Sequence, residues 1–416
     1  MRVLMISDVY FPRVNGVSTS IQTFRRDLDR LGCESWLIAP DYPAAHDTEP
    51  NVLRQPSRYL VFDPEDRLMS AKAAHRACLD LRGRIDVIHV HTPFVAHWVG
   101  TRAARELAVP VVETYHTFFE EYLHHYLPLL PRAAARGVAR TISRRQCNAV
   151  DAVVAPSRQL ADVLIDYGVT TPIDVIPTGL DLASFAGGDG RRFRERFHVA
   201  PERPVMLLVS RVAHEKNIGF LLDVLAEVTR TLGDVLLVIA GEGPALKSLE
   251  RQVATAGLGR NVRFVGYLDR GGELLDCYRA ANAFVFASRT ETQGLVLLEA
   301  MALGVPVVST AVLGTREVLD GARGAVVVDE NAQEFSGAVL DVLRNPDRQR
   351  ALSGAARDFV AARWSSEEMA RRMAALYRRT SGREGVANVA GEESLRGRAG
   401  RVARARGEML RDPCDP

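Results

Sequence analysis

Ala283-Phe-Val-Phe-Ala-Ser288-Arg-Thr-Glu291-Thr-Gln-Gly294-Leu-Val-Leu-Leu-Glu299-Ala-Met-Ala-Leu-Gly304-Val-Pro306-Val-Val-Ser309 reads as a strand, a loop, a helix and a second strand in one run. Residues 283–287 are apolar without alternation, the pattern of a strand covered on both faces. The polar residues from Ser288 to Gln293 form the loop, Gly294 opens the helix, and Gly304 with Pro306 ends it before the next strand at 307–309. Consecutive strands joined by a helix run parallel, which makes the unit α/β. The backbone N–H groups of Gly294, Leu295 and Val296 then point out of the sheet's carboxyl edge, where anionic ligands bind in such folds.

The same unit recurs in both directions along the chain. Apolar runs at 205–209, 235–239, 262–265 and 325–328 complete one series, and runs at 3–6, 35–38, 87–90, 111–113, 152–155 and 174–176 form another. Two tandem parallel sheets are therefore predicted, one in residues 1–180 and one in 205–365. The Gly- and charge-rich stretch 181–204 is read as the connection. Ser365-Ser366-Glu367-Glu368 is a capping-box start, and Met369, Met373, Leu376 and Tyr377 follow at helical spacing, which predicts a helix over 366–380. Residues 382–416 lack an apolar period and are predicted to be a disordered tail.

The 416 residues are two to three times the usual domain length, in agreement with two cores. Lys+Arg at 53 against Asp+Glu at 51 leaves +2, which argues against a dedicated nucleic-acid binder. Only Lys72, Lys216 and Lys247 are lysines; every other cation is arginine. Five scattered cysteines without a C-x-x-C pair point to neither a disulfide framework nor a zinc site, and to a reducing cytosolic compartment. The first apolar stretch is too short for a signal peptide, and the longest, residues 294–312, contains Glu299 and Pro306 and is no membrane span.

Two loops carry the chemistry. Glu291 in the loop and Glu299 on the helix can grip hydroxyls at two ends of one ligand, such as a sugar and a ribose. The competing reading is a capping carboxylate plus a solvated glutamate, which the apolar surroundings of Glu299 oppose. Ser210-Arg211-Val-Ala-His214-Glu215-Lys216-Asn217 follows the strand at 205–209, so Arg211 and Lys216 can converge on one diphosphate and stabilise its departure without a metal. Lys216 also has a plainer reading as a surface lysine at a helix start. Gly241-Glu-Gly243 is half a dinucleotide fingerprint, weak by itself, and is read as a tight turn lining the same cleft. Gly16, after Asn15, has two readings: close backbone approach to a phosphate or acceptor, and a simple turn.

His89 and His91 alternate on one face of a strand end without a third ligand at metal spacing, so no metal or other cofactor is expected. His116 ends a strand and either contacts the reacting sugar or its phosphate, or is a buried structural residue. Asp27 and Asp29 form the one tempting acidic pair of the first half and read as a solvated helix face. No G-x-S-x-G, H-E-x-x-H or P-loop occurs. Arg132, Arg136, Arg140 and Arg144 stand four apart, with Arg145 beside them and no acid between. On a helix they form one cationic stripe, suited to anionic lipid headgroups or only to water.

The Glu291-x7-Glu299 pattern with Gly294, the Arg211 and Lys216 pair, the Pro177-Thr-Gly179-Leu-Asp181 linker and the Asn15-Gly16 loop together resemble the retaining family 4 glycosyltransferases of GT-B architecture, over roughly residues 1–380. That resemblance implies two Rossmann-like domains facing across a cleft, with the last helix crossing back onto the first. It implies that Arg211 and Lys216 hold the donor diphosphate, Glu291 the sugar hydroxyls and Glu299 the ribose. It places the backbone of Gly294, Leu295 and Val296 at sugar and phosphate, His116 against the transferred sugar and Gly16 against the diphosphate from the opposite domain. The segment from Thr114 to Pro128 looks most like bacterial enzymes that glucosylate diacylglycerol. The implied partners are a nucleotide sugar, first UDP-glucose, a lipid acceptor and an anionic membrane on its cytosolic face. A mannosyltransferase acting on phosphatidylinositol or a soluble glycan, and a nucleotide-sugar epimerase, are the rival readings.

Overall fold

The computed structural model describes residues 1–43, 51–60, 63–116, 118 and 132–382. The first body contains β1 (Arg2–Ile6), β2 (Glu34–Pro40), β3 (Val52–Gln55), β4 (Ser57–Leu60), β5 (Asp63–Met69), β6 (Val87–Val90), β7 (Val111–Thr114), β8 (Ala152–Ala155) and β9 (Ile173–Val175). The second contains β10 (Val205–Val209), β11 (Leu236–Ala240), β12 (Val262–Gly266), β13 (Ala283–Phe286), β14 (Val307–Ser309) and β15 (Ala325–Val327). Each expected strand is present within two residues of its expected ends. The strands β3, β4 and β5 were not expected. Their sequences mix charge into every run, because β3 is a sheet edge and β4 and β5 form a separate antiparallel pair.

Seven parallel strands in the order β3-β2-β1-β6-β7-β8-β9 make the first sheet, and six in the order β12-β11-β10-β13-β14-β15 the second. In each, the chain builds outward from a central strand and then returns to that strand's other side. The resulting switch points lie between β1 and β6 and between β10 and β13, and beyond the carboxyl ends of the strands at such points open α/β sheets bind their ligands. Apolar side chains cover both faces of the first sheet in separate clusters, and one larger cluster fills the second body.

The stretch 181–204 is more than a connection. Its helix Gly190–Arg196 lies on helix Glu273–Ala280, and Phe193 and Val199 enter the second core. Arg192 grips buried Asp276 through two nitrogens, with bonds of 2.5 and 2.7 Å. Flexible-looking glycines hid this element: Gly188 and Gly190 let the chain run against the backbone of Leu275 and Arg279.

Helix Ser366–Thr380 has its expected boundaries, with Ser365 capping the N–H of Glu368. It lies on helix Gly16–Arg30 and contributes Met369, Met373, Leu376 and Tyr377 to the first body's core. At roughly 1.5–3 kcal/mol for each large apolar side chain buried, this face alone holds the terminal helix on the opposite domain. The chain crosses between the domains twice, side by side. Leu180 N donates to Trp364 O (2.6 Å), and Ser366 N donates to Leu180 O (3.1 Å). Gly179 permits this approach, since a Cβ there would lie 2.5 Å from Ser366 Cα. Residues 383–416, read above as a tail, lie outside the described residues.

Candidate active site

The carboxyl edge of the second sheet is built from loops that leave its two central strands. The turn Gly241 to Gly243, after β11, supports the Ser210–Val212 segment that follows β10: a Cβ on Gly241 (φ +133°) would stand 2.0 Å from Ser210 O. Val212 N donates to Glu242 O (2.8 Å), so the expected tight turn and the cation loop form one layer. The short helix His214–Lys216 ends at Asn217 in the left-handed region, and Lys216 Nζ reaches Glu291 Oε1 at 2.5 Å. Both side chains are mostly buried.

Gly294 caps helix Leu295–Ala302 with φ +92°, so the helix opens where the sequence predicts. Glu299 on the next turn is buried. Tyr278 Oη donates to Glu299 Oε2 at 2.9 Å, and Arg270 pairs with Glu299 Oε1. Burial beside this carboxylate pushes the Tyr278 phenol far above its usual range. Arg270 and Tyr278 were not singled out in the sequence; position was the only available signal, Arg270 standing in the loop after β12. Among the described residues, the buried hydroxyls of Ser288, Thr290 and Thr310 have no hydrogen-bond partner. These three residues follow β13 or β14 and give this edge a polar lining.

Gln293, also not anticipated, ties the glutamate loop to the domain crossing. Its side chain accepts from Thr178 N (2.8 Å) and donates to Thr178 O (2.7 Å), while Thr178 Oγ1 bonds Ser20 Oγ on helix Gly16–Arg30 (2.7 Å). That helix begins at Gly16, with Asn15 capping Ser18 N (2.8 Å). Apart from its chain neighbours and the backbone of its own helix, no described atom lies within 4 Å of where a Gly16 Cβ would stand. Asp27, expected to face solvent, is buried. It takes bonds from Arg26 (2.8 Å) and Arg30 (3.0 Å), and Arg26 also pairs with Asp181 at the crossing (2.8 Å).

On the first domain, His89 and His91 on or just beyond β6 and His116 beyond β7 form a cluster. His89 bonds Tyr377 Oη (2.6 Å) and Thr114 Oγ1 (2.7 Å), and His91 Nδ1 meets His116 Nε2 at 3.2 Å. Burial lowers the His89 imidazole to about 3, that of His116 to about 4, and that of His91 well below its usual range. All three rings are neutral at pH 7. Nearby, Asp8 caps helix Val95–Leu107 through Ala96 N (3.1 Å) and bonds Thr92 Oγ1 (2.8 Å); burial raises its carboxyl to about 6.

Two sequence families divide the chain at the same place as the two sheets. Residues 14–184 match Glycosyltransferase Family 4, and residues 190–359 match Glycosyl transferases group 1. The alpha-monoglucosyldiacylglycerol synthase of Streptococcus pneumoniae is 32% identical over 82% of this chain and 78% of its own. The chain belongs to the family 4 glycosyltransferases. The GDP-mannose-dependent alpha-(1-6)-phosphatidylinositol monomannoside mannosyltransferase of Mycolicibacterium smegmatis is 29% identical over 90% of this glycosyltransferase and 97% of its own length. Anabaena HepE, solved in complex with UDP-glucose, superimposes with a TM-score of 0.71 at 19% identity, covering 90% of this chain and 99% of its own, and shares the GT-B fold.

The arginine stripe of this glycosyltransferase lies on helix Arg132–Cys147, with Arg136, Arg140, Arg144 and Arg145 exposed. The Arg132 side chain lies outside the described residues, and Arg140 stacks over the Tyr167 ring at 5.4 Å. Gln146 Nε2, near the end of this helix, donates to Pro93 O (2.7 Å). Directly beyond Pro93, Phe94 and Trp98 are 49% and 67% exposed, one helical turn apart. The sequence reading passed over both. Among the described residues no helix is long and apolar enough to cross a membrane.

Proposed function

We propose that this glycosyltransferase moves glucose from UDP-glucose to diacylglycerol, with retention and without a metal, at the cytosolic face of a membrane. The Lys216–Glu291 contact carries the reading, since it sets a cation for phosphate and a carboxylate for sugar hydroxyls side by side at the carboxyl edge. On donor binding Lys216 turns to the diphosphate with Arg211, and Glu291 takes a sugar hydroxyl. The backbone at Gly294, Leu295 and Val296 meets sugar and phosphate, Glu299 the ribose, and the Gly16 turn the diphosphate from the other domain. Gly241 shapes the floor of the cation loop.

In the reaction the bond from C1 of glucose to the β-phosphate oxygen breaks, and the acceptor hydroxyl oxygen bonds C1 on the same face. The acceptor's proton passes to the departing phosphate, whose charge Arg211 and Lys216 stabilise. His116 contacts the transferred sugar. The lipid acceptor is supported by the 32% identity to the diacylglycerol enzyme, and the membrane face by exposed Trp98 and Phe94 together with the arginines. Incubation with UDP-glucose and diacylglycerol liposomes is expected to yield an α-glucosyl lipid, and no transfer from any nucleotide sugar overturns the reading. The 29% identity to the mannosyltransferase supports a second reading, transfer from GDP-mannose to an inositol lipid, which a parallel incubation separates.

A further inference from the structure

His91 is buried away from solvent, yet it is bonded to the residue assigned above to the sugar. We propose that His91 is a positioning residue that holds His116 in the tautomer with its proton on Nδ1. The inference rests on the reading of His116 as a sugar contact only for its functional consequence; the tautomer itself follows from the packing.

One proton lies between two neutral rings, His91 Nδ1 and His116 Nε2, at 3.2 Å. Two arrangements satisfy that bond. If His116 Nε2–H donates, the His91 proton sits on its own Nε2. That nitrogen is buried and has no partner among the described residues, so an N–H would be stranded there. If His91 Nδ1–H donates, the buried Nε2 of His91 carries only a lone pair. Stranded buried N–H groups are the rarer defect in folded proteins, so the second arrangement is favoured.

His91 cannot turn to avoid the choice. Its ring lies against that of His89 at 4.0 Å, and His89 is held at both nitrogens by Tyr377 Oη and Thr114 Oγ1. With His116 Nε2 occupied as an acceptor, its Nδ1–H remains as the group offered to the ligand. His116 is the only ring of the three that is not fully buried. It thus presents a hydrogen-bond donor, suited to an oxygen lone pair on the transferred hexose, and takes no proton from the acceptor. The terminal helix, through Tyr377, becomes the outermost support of this donor.

The test is the 15N side-chain spectrum of the ligand-free protein labelled at histidine, with His91→Gln and His116→Ala spectra for assignment. A protonated Nδ1 and a bare Nε2 on both His91 and His116 are expected. A protonated Nε2 on His116 in the wild type overturns the proposal, whatever the variants do. In kinetics His91→Phe, which removes the donor, is expected to lower kcat at least about tenfold with little change in donor KM. His91→Gln, whose amide can still donate to His116, is expected to recover most of that loss. Equal kcat for His91→Phe and wild type, where His116→Ala is impaired, also overturns the proposal. Full turnover by His116→Ala alongside the expected tautomer sinks the functional reading of His116 instead, so the two failures are distinct.

Discussion

Lys216 Nζ and Glu291 Oε1 stand 2.5 Å apart, joining loops 75 residues distant in the chain at the carboxyl edge of the second sheet. A cation and a carboxylate held in contact without substrate neutralise each other and keep both loops in place. If each turns to a different part of the donor, both act on one transition state. Lys216→Ala and Glu291→Ala are each expected to lower kcat at least about a hundredfold, and the double variant by less than the product of the two. Multiplicative losses in a steady-state double-mutant cycle contradict a shared role.

Glu299 makes a different prediction because its partners are structural as well as cationic. Glu299→Ala leaves Tyr278 Oη and Arg270 without their buried acceptor, and removing one partner of such a pair costs about 3–5 kcal/mol. A lower melting temperature is therefore expected together with a raised donor KM. Tyr278→Phe, which removes one neutral donor and leaves the Arg270 pair, is expected to cost about 1.5–3 kcal/mol and leave KM within a few-fold of wild type. An unchanged donor KM in Glu299→Ala contradicts the ribose assignment.

The histidine cluster sets the acid stability. An unfolded imidazole protonates near 6.5, whereas His89 and His116 in the folded chain do so at about 3 and 4. Below 6.5 the unfolded state binds the proton and the folded state does not. Stability present above 6.5 is therefore lost as pH falls, at about 1.4 kcal/mol per pH unit for each such ring. Asp8 opposes this: its carboxyl is raised from 3.8 to about 6, so its contribution increases as pH falls through that window. Several rings outweigh one carboxyl. The urea midpoint is expected to be lower at pH 5 than at pH 7, with a smaller drop in His91→Phe; equal midpoints in the wild type would refute this.

What the sequence disclosed and what it concealed have separate physical causes. Strands such as β1 and β13 are unbroken apolar runs because both faces are covered, and such runs are visible without a partner. Glu291 and Glu299 were visible because loop and helix follow one another along the chain. The His91–His116 bond requires knowing that β6 pairs with β7, with His89 opposite Val112, which no local pattern states. Tyr377 reaches His89 across 288 residues. Asp27 was misread because a charged helix looks solvated until its own Arg26 and Arg30 fold over the carboxylate.

The exposed surface of the first domain predicts a two-part membrane attachment that salt can separate. Arg136, Arg144 and Arg145 act through charge, at about 1 kcal/mol each near an anionic leaflet, or roughly fivefold in binding per arginine. Their contribution is screened as the Debye length shortens from about 10 Å at 0.1 M salt to about 3 Å at 1 M. Trp98 acts through apolar burial, which salt does not screen. In flotation with vesicles containing anionic lipid, Arg136→Glu with Arg145→Glu is expected to weaken binding strongly at 0.1 M salt and little at 1 M. Trp98→Ser is expected to weaken it by a similar factor at both. Thermal melts of Arg145→Glu and Trp98→Ser should match wild type, since these two side chains lie on the surface, and a melt of the double arginine variant separates loss of fold from loss of binding. Binding that is insensitive to all three substitutions, or a Trp98→Ser effect that disappears with salt, contradicts this arrangement. The attachment then lies elsewhere on the domain, and the diacylglycerol acceptor loses the support that this surface lends it.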